Sequence, residues 1–230
     1  MSMIEFASNG STAGGYLTVP AGGSGAGVIV VQEWWGLDPG IKRACDKLAD
    51  EGFVALAPDL YHGELAAHDE MDKAGELMSK LPMDRAARDM TSAVDALLAR
   101  DEVTGDGVGV VGYCMGGMLA WVLATLRPDA VKAVSSYYGA PLDPSAEPDW
   151  SALQAKVIAH PAENDDFFPQ DAIEALGERL RGMGKDVTVH TYPGTGHAFA
   201  SEHNALGTRN EEAAATAWGR TIDLLRSTLT

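Results

Sequence analysis

Apolar runs of strand length alternate with helical stretches along most of this chain, and that alternation restricts its fold more than any other feature. The runs are 28–33 (VIVVQE), 53–60 (FVALAPDL), 107–114 (GVGVVGYC), 130–139 (AVKAVSSYYG), 156–162 (KVIAHPA) and 186–194 (DVTVHTYPG). Helical patterns fall at 39–52, 67–80, 83–100, 115–126, 169–183 and 209–229. Pro39 and Gly52 bracket the first of these, and Pro82 separates the second from the third. Continuous apolar runs suit strands buried on both faces, and helical crossovers lay successive strands parallel. The expected fold is therefore α/β, with a mainly parallel central sheet and helices on both faces. Residues 3–8 and 14–20 read as two further short strands that turn at Asn9-Gly10. No repeat, low-complexity tract or interdomain linker interrupts the pattern, and the Gly/Ser stretch at 22–27 reads as a loop. Residues 1–230 are expected to form one domain, a length that supports one sizeable core.

Charge narrows the partners. Acidic side chains number 33 against 17 basic ones, for a formal net charge of −16. Such a surface repels phosphate backbones and anionic lipid heads, so neither nucleic acid nor membrane is expected as a partner. No apolar run reaches the roughly 18 residues of a spanning helix. The first ten residues lack the basic and apolar regions of a signal peptide. Cys45 and Cys114 are the two cysteines, too few for a disulfide framework or a Cys-rich zinc module. A single Cys45–Cys114 bridge is open on sequence, but a reducing compartment is the simpler reading. A cytoplasmic protein is expected, monomeric or alternatively dimeric.

The stretch VVGYCMGGML at 110–119 places Cys114 between Gly112 and Gly116, just after an apolar strand and just before a helix. This is the G-x-nucleophile-x-G elbow, in which bulky neighbours would collide in a strained turn. Cys114 then stands at a helix N-terminus, where N–H groups can stabilise a thiolate or an oxyanion. A buried cysteine acting as a small hydrophobe is the alternative. It suits Cys45, inside an amphipathic helix pattern. Residues 107–112 also match G-x-G-x-x-G, but their glycines lie within the strand and not in the turn after it, so no nucleotide site is expected.

An elbow cysteine needs a base. His197 lies in PGTGHAF, a Gly-rich loop between the last strand and the last helix, and is the best candidate. His62 follows a strand and is a weaker one. His160 reads as core, while His68, His190 and His203 read as structural or solvated. No metal-binding His spacing is present, so no metal is expected. The acid should lie between nucleophile and base in the chain. The stretch AENDDFFPQ offers Glu163, Asp165 and Asp166 just past a buried strand, on the carboxyl edge of the sheet where such sites form. Glu33 follows another buried strand and precedes Trp34 and Trp35. That loop is placed to supply a second oxyanion-hole N–H.

Together these residues resemble the dienelactone hydrolase family of α/β-hydrolases. The matching motifs are QEWWGL (32–37), PDLYHG (58–63), GYCMGG (112–117), DDFFP (165–169) and GTGHAF (194–199), spread over most of the chain. The resemblance implies the α/β-hydrolase fold, no cofactor, and a small ester or lactone as the partner. The family's D-x-F-x-P arrangement selects Asp165 over Asp166. It further implies that Cys114 attacks the carbonyl, His197 acts as base and Asp165 orients it. Glu33 would take the thiol proton when substrate arrives. The N–H groups of Trp34 and Met115 would hold the oxyanion, and water would hydrolyse the thioester.

The chain also departs from the dienelactone-cleaving members. Ser201 stands where they carry an arginine four residues after the histidine, and Ala198 where they carry serine. The next arginine after PDLYHG is Arg85, well downstream. Neutral, fairly apolar substrates are expected instead of carboxylates, with Trp34, Trp35, Phe168 and Phe199 lining the pocket and Ser201 at the clamp position. A broad carboxylesterase or thioesterase is the second reading, and a catalytically silent binding protein the third.

Overall fold

The structure, a computed structural model, describes residues 1–8 and 10–229. Asn9 of the expected Asn9-Gly10 turn lies outside the described residues. The strands are β1 (Ser2–Ser8), β2 (Ser11–Thr18), β3 (Gly25–Val31), β4 (Val54–Pro58), β5 (Val103–Tyr113), β6 (Val131–Tyr137), β7 (Lys156–His160) and β8 (Val187–Val189). The helices are α1 (Pro39–Asp50), α2 (Met71–Lys80), α3 (Met83–Leu98), α4 (Met115–Leu126), α5 (Gln170–Gly182) and α6 (Glu211–Leu229). The strands form one sheet in the order β1-β2-β4-β3-β5-β6-β7-β8. From β4 to β8 every pairing is parallel, while β1 and β2 add an antiparallel edge.

The sheet is apolar on both sides because helices cover both sides. Every residue from Ala26 to Val31 of β3 is buried. One cluster joins Ile29, Val31 and Val110 to α3 and α4 through Met90, Val94, Leu119 and Trp121. The other joins Val28, Val30 and Val111 to α1 and α6 through Ile41, Leu48, Ile222 and Leu225. Local chemistry starts and stops the helices as the sequence suggests. Asp38 caps α1 by accepting the Ile41 N–H at 2.8 Å, Pro39 opens the first turn, and Gly52 leaves it at a φ of +94°.

Several expected boundaries move. The helix expected from residue 67 starts at Met71, because the Ala67 N–H is taken by the Glu70 carboxylate in a preceding turn. β5 begins at Val103 and not at residue 107. Its early residues pair with Gly25 and Ala26 across a register shift. β8 keeps three residues; the His190 N–H makes the last hydrogen bond to β7, on the Ala159 carbonyl, and the chain then turns through Pro193, with the Thr195 N–H bonded back to the Tyr192 carbonyl. The parallel strands all end at one edge, and Glu33, Cys114, Asp165 and His197 follow β3, β5, β7 and β8 there.

Candidate active site

Cys114 occupies the turn between β5 and α4 at φ 54° and ψ −119°, a conformation that costs a non-glycine residue energy. The turn closes so tightly that a Cβ on Gly112 would fall on the Gly116 carbonyl, and one on Gly116 on the Val31 and Gln32 carbonyls. The Cys114 N–H donates to the Tyr137 carbonyl at 3.0 Å, and its own carbonyl accepts the Met118 N–H at 3.1 Å. The backbone N–H groups of Met115 and Trp34 act on its sulfur as donors to negative charge. Burial, first, and the nearby Glu33 carboxylate outweigh them, so the thiol is held well above its ordinary range and rests protonated. Both cysteines are free. Cys45 is fully buried against the α1 side of the sheet, where burial pushes its thiol up as well.

His197 is fixed through one ring nitrogen. Its Nδ1–H donates to Asp165 Oδ2 at 2.8 Å, which leaves Nε2 as the nitrogen available to the pocket. Asp165 Oδ1 accepts the N–H groups of Phe167 and Phe168 at 2.9 Å each, so the carboxylate cannot swing away. Asp166 is exposed. Glu163 serves the loop, accepting the Gly194 N–H at 2.7 Å. The imidazole stacks on Phe168 and meets Phe167 and Tyr138 at its other sides.

Glu33 is buried. It accepts a hydrogen bond from the Tyr138 hydroxyl at 3.3 Å and one from His203 Nε2–H at 3.0 Å. A cavity of about 260 Å³ opens over Cys114 and is walled by Trp34, Trp35, Met78, Met115, Met118, Phe167, Phe168 and Leu206, with Glu33, His197 and His203 as its polar groups. No lysine or arginine lines it. The size suits a small apolar molecule.

Two expected lining residues are elsewhere. Phe199 is fully buried between Tyr138 and Tyr192 and does not line the cavity. Residues 197–200 form a turn with Ala198 at a φ of 64°, and the turn sends the Phe199 side chain into the core. Ser201 lines a second cavity of about 300 Å³, together with Arg209 and Trp218, which shares Glu33 with the first. Arg85 donates to the Leu60 carbonyl and lines another hollow. His62 is bonded to Asp89. His203, read from sequence as structural or solvated, has its side chain only 6 % exposed and faces Glu33. Its only sequence signal was a place in the same loop as His197. Met78 comes from α2, and nothing local in the sequence aims it at Cys114.

Asp38, His68 and His203 bring one potential ligand atom each within 4.8 Å of one another. The two imidazoles, however, stack at 3.8 Å and 25°, so their in-plane lone pairs run side by side and do not converge on a point. Each Nε2–H is already given to a carboxylate, His68 to Asp38 at 2.7 Å and His203 to Glu33. The cluster is arranged as a hydrogen-bonded stack.

A sheet of this topology with a strained strand-to-helix elbow at its carboxyl edge defines an α/β-hydrolase fold. Within that class, the family model of the dienelactone hydrolase family matches residues 13–229, and the chain belongs to that family, as a carboxylic ester hydrolase. It is 36% identical to "Protein usf" of Aquifex pyrophilus over 99% of both chains. It is 30% identical to the carboxymethylenebutenolidase of Pseudomonas sp. (strain P51), covering 96% of this chain and 92% of that one. A crystal structure from Klebsiella pneumoniae subsp. pneumoniae MGH 78578, provisionally described as a dienelactone hydrolase, superposes with a TM-score of 0.84 at 28% identity, covering 98% of this chain and 99% of the other. Among the described residues no helix is long and apolar enough to cross a membrane.

Proposed function

We propose that the protein hydrolyses neutral, apolar lactones or small esters through a thioester on Cys114. Glu33 takes the proton from the thiol, and the sulfur keeps the electron pair and attacks the substrate carbonyl. The N–H groups of Trp34 and Met115 receive the developing oxyanion. The leaving alkoxide takes up the proton that left the sulfur. His197, oriented by Asp165, then draws a proton from water, whose oxygen attacks the thioester. The released thiolate recovers that proton, and the acid product departs. The observation that carries this reading is that one cavity holds the elbow cysteine, Glu33 and an imidazole anchored on the Asp165 carboxylate.

Substrate charge follows from the walls. An anionic substrate needs a cationic partner in a water-poor pocket, and none of the lining residues is cationic. Losing such a charge-assisted hydrogen bond costs about 1.5–3 kcal/mol, or roughly ten- to over a hundredfold in specificity. The test compares kcat/KM for a carboxylated dienelactone and its methyl ester. The methyl ester should be preferred, and Ser201→Arg should not reverse the order, because residue 201 faces the other cavity. A preference for the free acid rejects the neutral-substrate reading. A broad carboxylesterase or thioesterase is the second reading, favoured by the flexible methionines Met78, Met115 and Met118 in the wall. Equal rates on lactones and open-chain esters would select it.

A further inference from the structure

We propose that His203 is a positioning residue that keeps Glu33 aimed for the proton transfer from Cys114. The assignment rests on the reading of Glu33 as the group that takes the thiol proton. Glu33 is 5 % exposed, and a polar group so far from water needs protein donors in place of water. It has two side-chain donors, and His203 at 3.0 Å is nearer than the Tyr138 hydroxyl at 3.3 Å.

The imidazole is held in the tautomer this needs. The Ala205 N–H donates to His203 Nδ1 at 3.1 Å, so Nδ1 carries a lone pair and the ring proton sits on Nε2, facing Glu33 Oε2. The ring plane is fixed as well. His68 stacks on one face at 3.8 Å, and Trp35 meets it nearly edge-on at 5.8 Å and 81°. His68 is in turn anchored by Asp38 Oδ2, the same carboxylate whose Oδ1 caps α1. The start of a rigid helix is thereby tied through two imidazoles to the acid beside the nucleophile.

In the step this serves, the Sγ–H bond of Cys114 breaks, an O–H bond forms on Glu33, and the sulfur retains the electron pair. No oxidant or second reactant takes part. Without the His203 N–H, Glu33 keeps one long hydrogen bond, from the Tyr138 hydroxyl, is no longer held in its orientation, and receives the proton more slowly.

The experiment measures alkylation of Cys114 by iodoacetamide and acylation by 4-nitrophenyl acetate at pH 7. His203→Leu should slow both by roughly ten- to a hundredfold, the loss of one hydrogen bond to a charged group. His203→Gln sets its amide nitrogen where Nε2 was and should recover to within about threefold, whereas His203→Asn sets it where Nδ1 was and should not. The Gln and Asn pair carries the test even if the leucine variant fails to fold, and equal rates in that pair overturn the proposal. The double variant Glu33→Gln/His203→Leu should be no slower than Glu33→Gln alone, and additive losses also overturn it. If Glu33→Gln slows alkylation but His203→Leu does not, Glu33 keeps its role and only this assignment fails. If Glu33→Gln changes nothing, the reading of Glu33 fails first and takes this one with it.

Discussion

At the scale of single residues, the site separates near neighbours by what each side chain touches. Asp165 and Asp166 are adjacent, yet one carboxylate holds His197 and two backbone N–H groups while the other faces solvent. Asp165→Asn should therefore lower kcat by about 10³–10⁴, because the amide stabilises the wrong imidazole tautomer, and Asp166→Asn should stay within about twofold of wild type. Steady-state kinetics on one chromogenic ester checks both, and a reversed ranking would show the acid misassigned. The cysteines divide the same way. Cys114→Ala should abolish hydrolysis, while Cys45→Ala, a small cavity away from the pocket, should keep the rate and lose about 1 kcal/mol of stability in urea unfolding.

Among the elements, the junction of β3, β5 and α4 is the tightest point of the site. Gly116 leaves no room for a Cβ against the β3 backbone, and backbone cannot move aside as a side chain can. Gly116→Ala should cost about 3 kcal/mol or more and displace the sulfur. Gly75 provides the control. It lies inside α2, at ordinary helical φ, with open space around its missing Cβ. Gly75→Ala should raise stability by about 0.5–1 kcal/mol through helix propensity alone. Paired thermal melts measure both, and a stable, active Gly116→Ala would contradict the elbow geometry.

On the scale of the whole molecule, folding buries a histidine that must stay neutral. His160, at the end of β7, is bonded to the Tyr192 hydroxyl and to Ser135, and burial holds its pKa well below the ordinary value. The unfolded chain takes up that proton near pH 6.5, and the folded one does not. Stability from this residue is complete above pH 6.5 and is lost as pH falls below it, by up to about 1.4 kcal/mol per pH unit. Denaturant midpoints between pH 7 and 5 should fall in wild type and fall less in His160→Gln. Equal slopes would mean that other groups govern the acid limb.

How much of this was legible in the chain follows the range of the forces involved. Apolar strand runs, helix caps, the two glycines around Cys114 and the spacing of Asp165 and His197 act between near neighbours in sequence or recur as a motif, and they determined the sheet, the elbow and the order of the chemical groups. The antiparallel edge was less visible, because residues 2–20 carry only short alternating runs whose partner strand, β4, lies far along the chain. Which face a loop side chain takes was not legible at all. Phe199 and Ser201 follow His197 closely yet turn into the core and into another cavity, while His203 turns back to Glu33, 170 residues away in sequence. No local pattern encodes that choice. The competition among burial, stacking on His68 and the need of a buried carboxylate for a donor is resolved only when distant segments meet, and so the tertiary structure alone decided it.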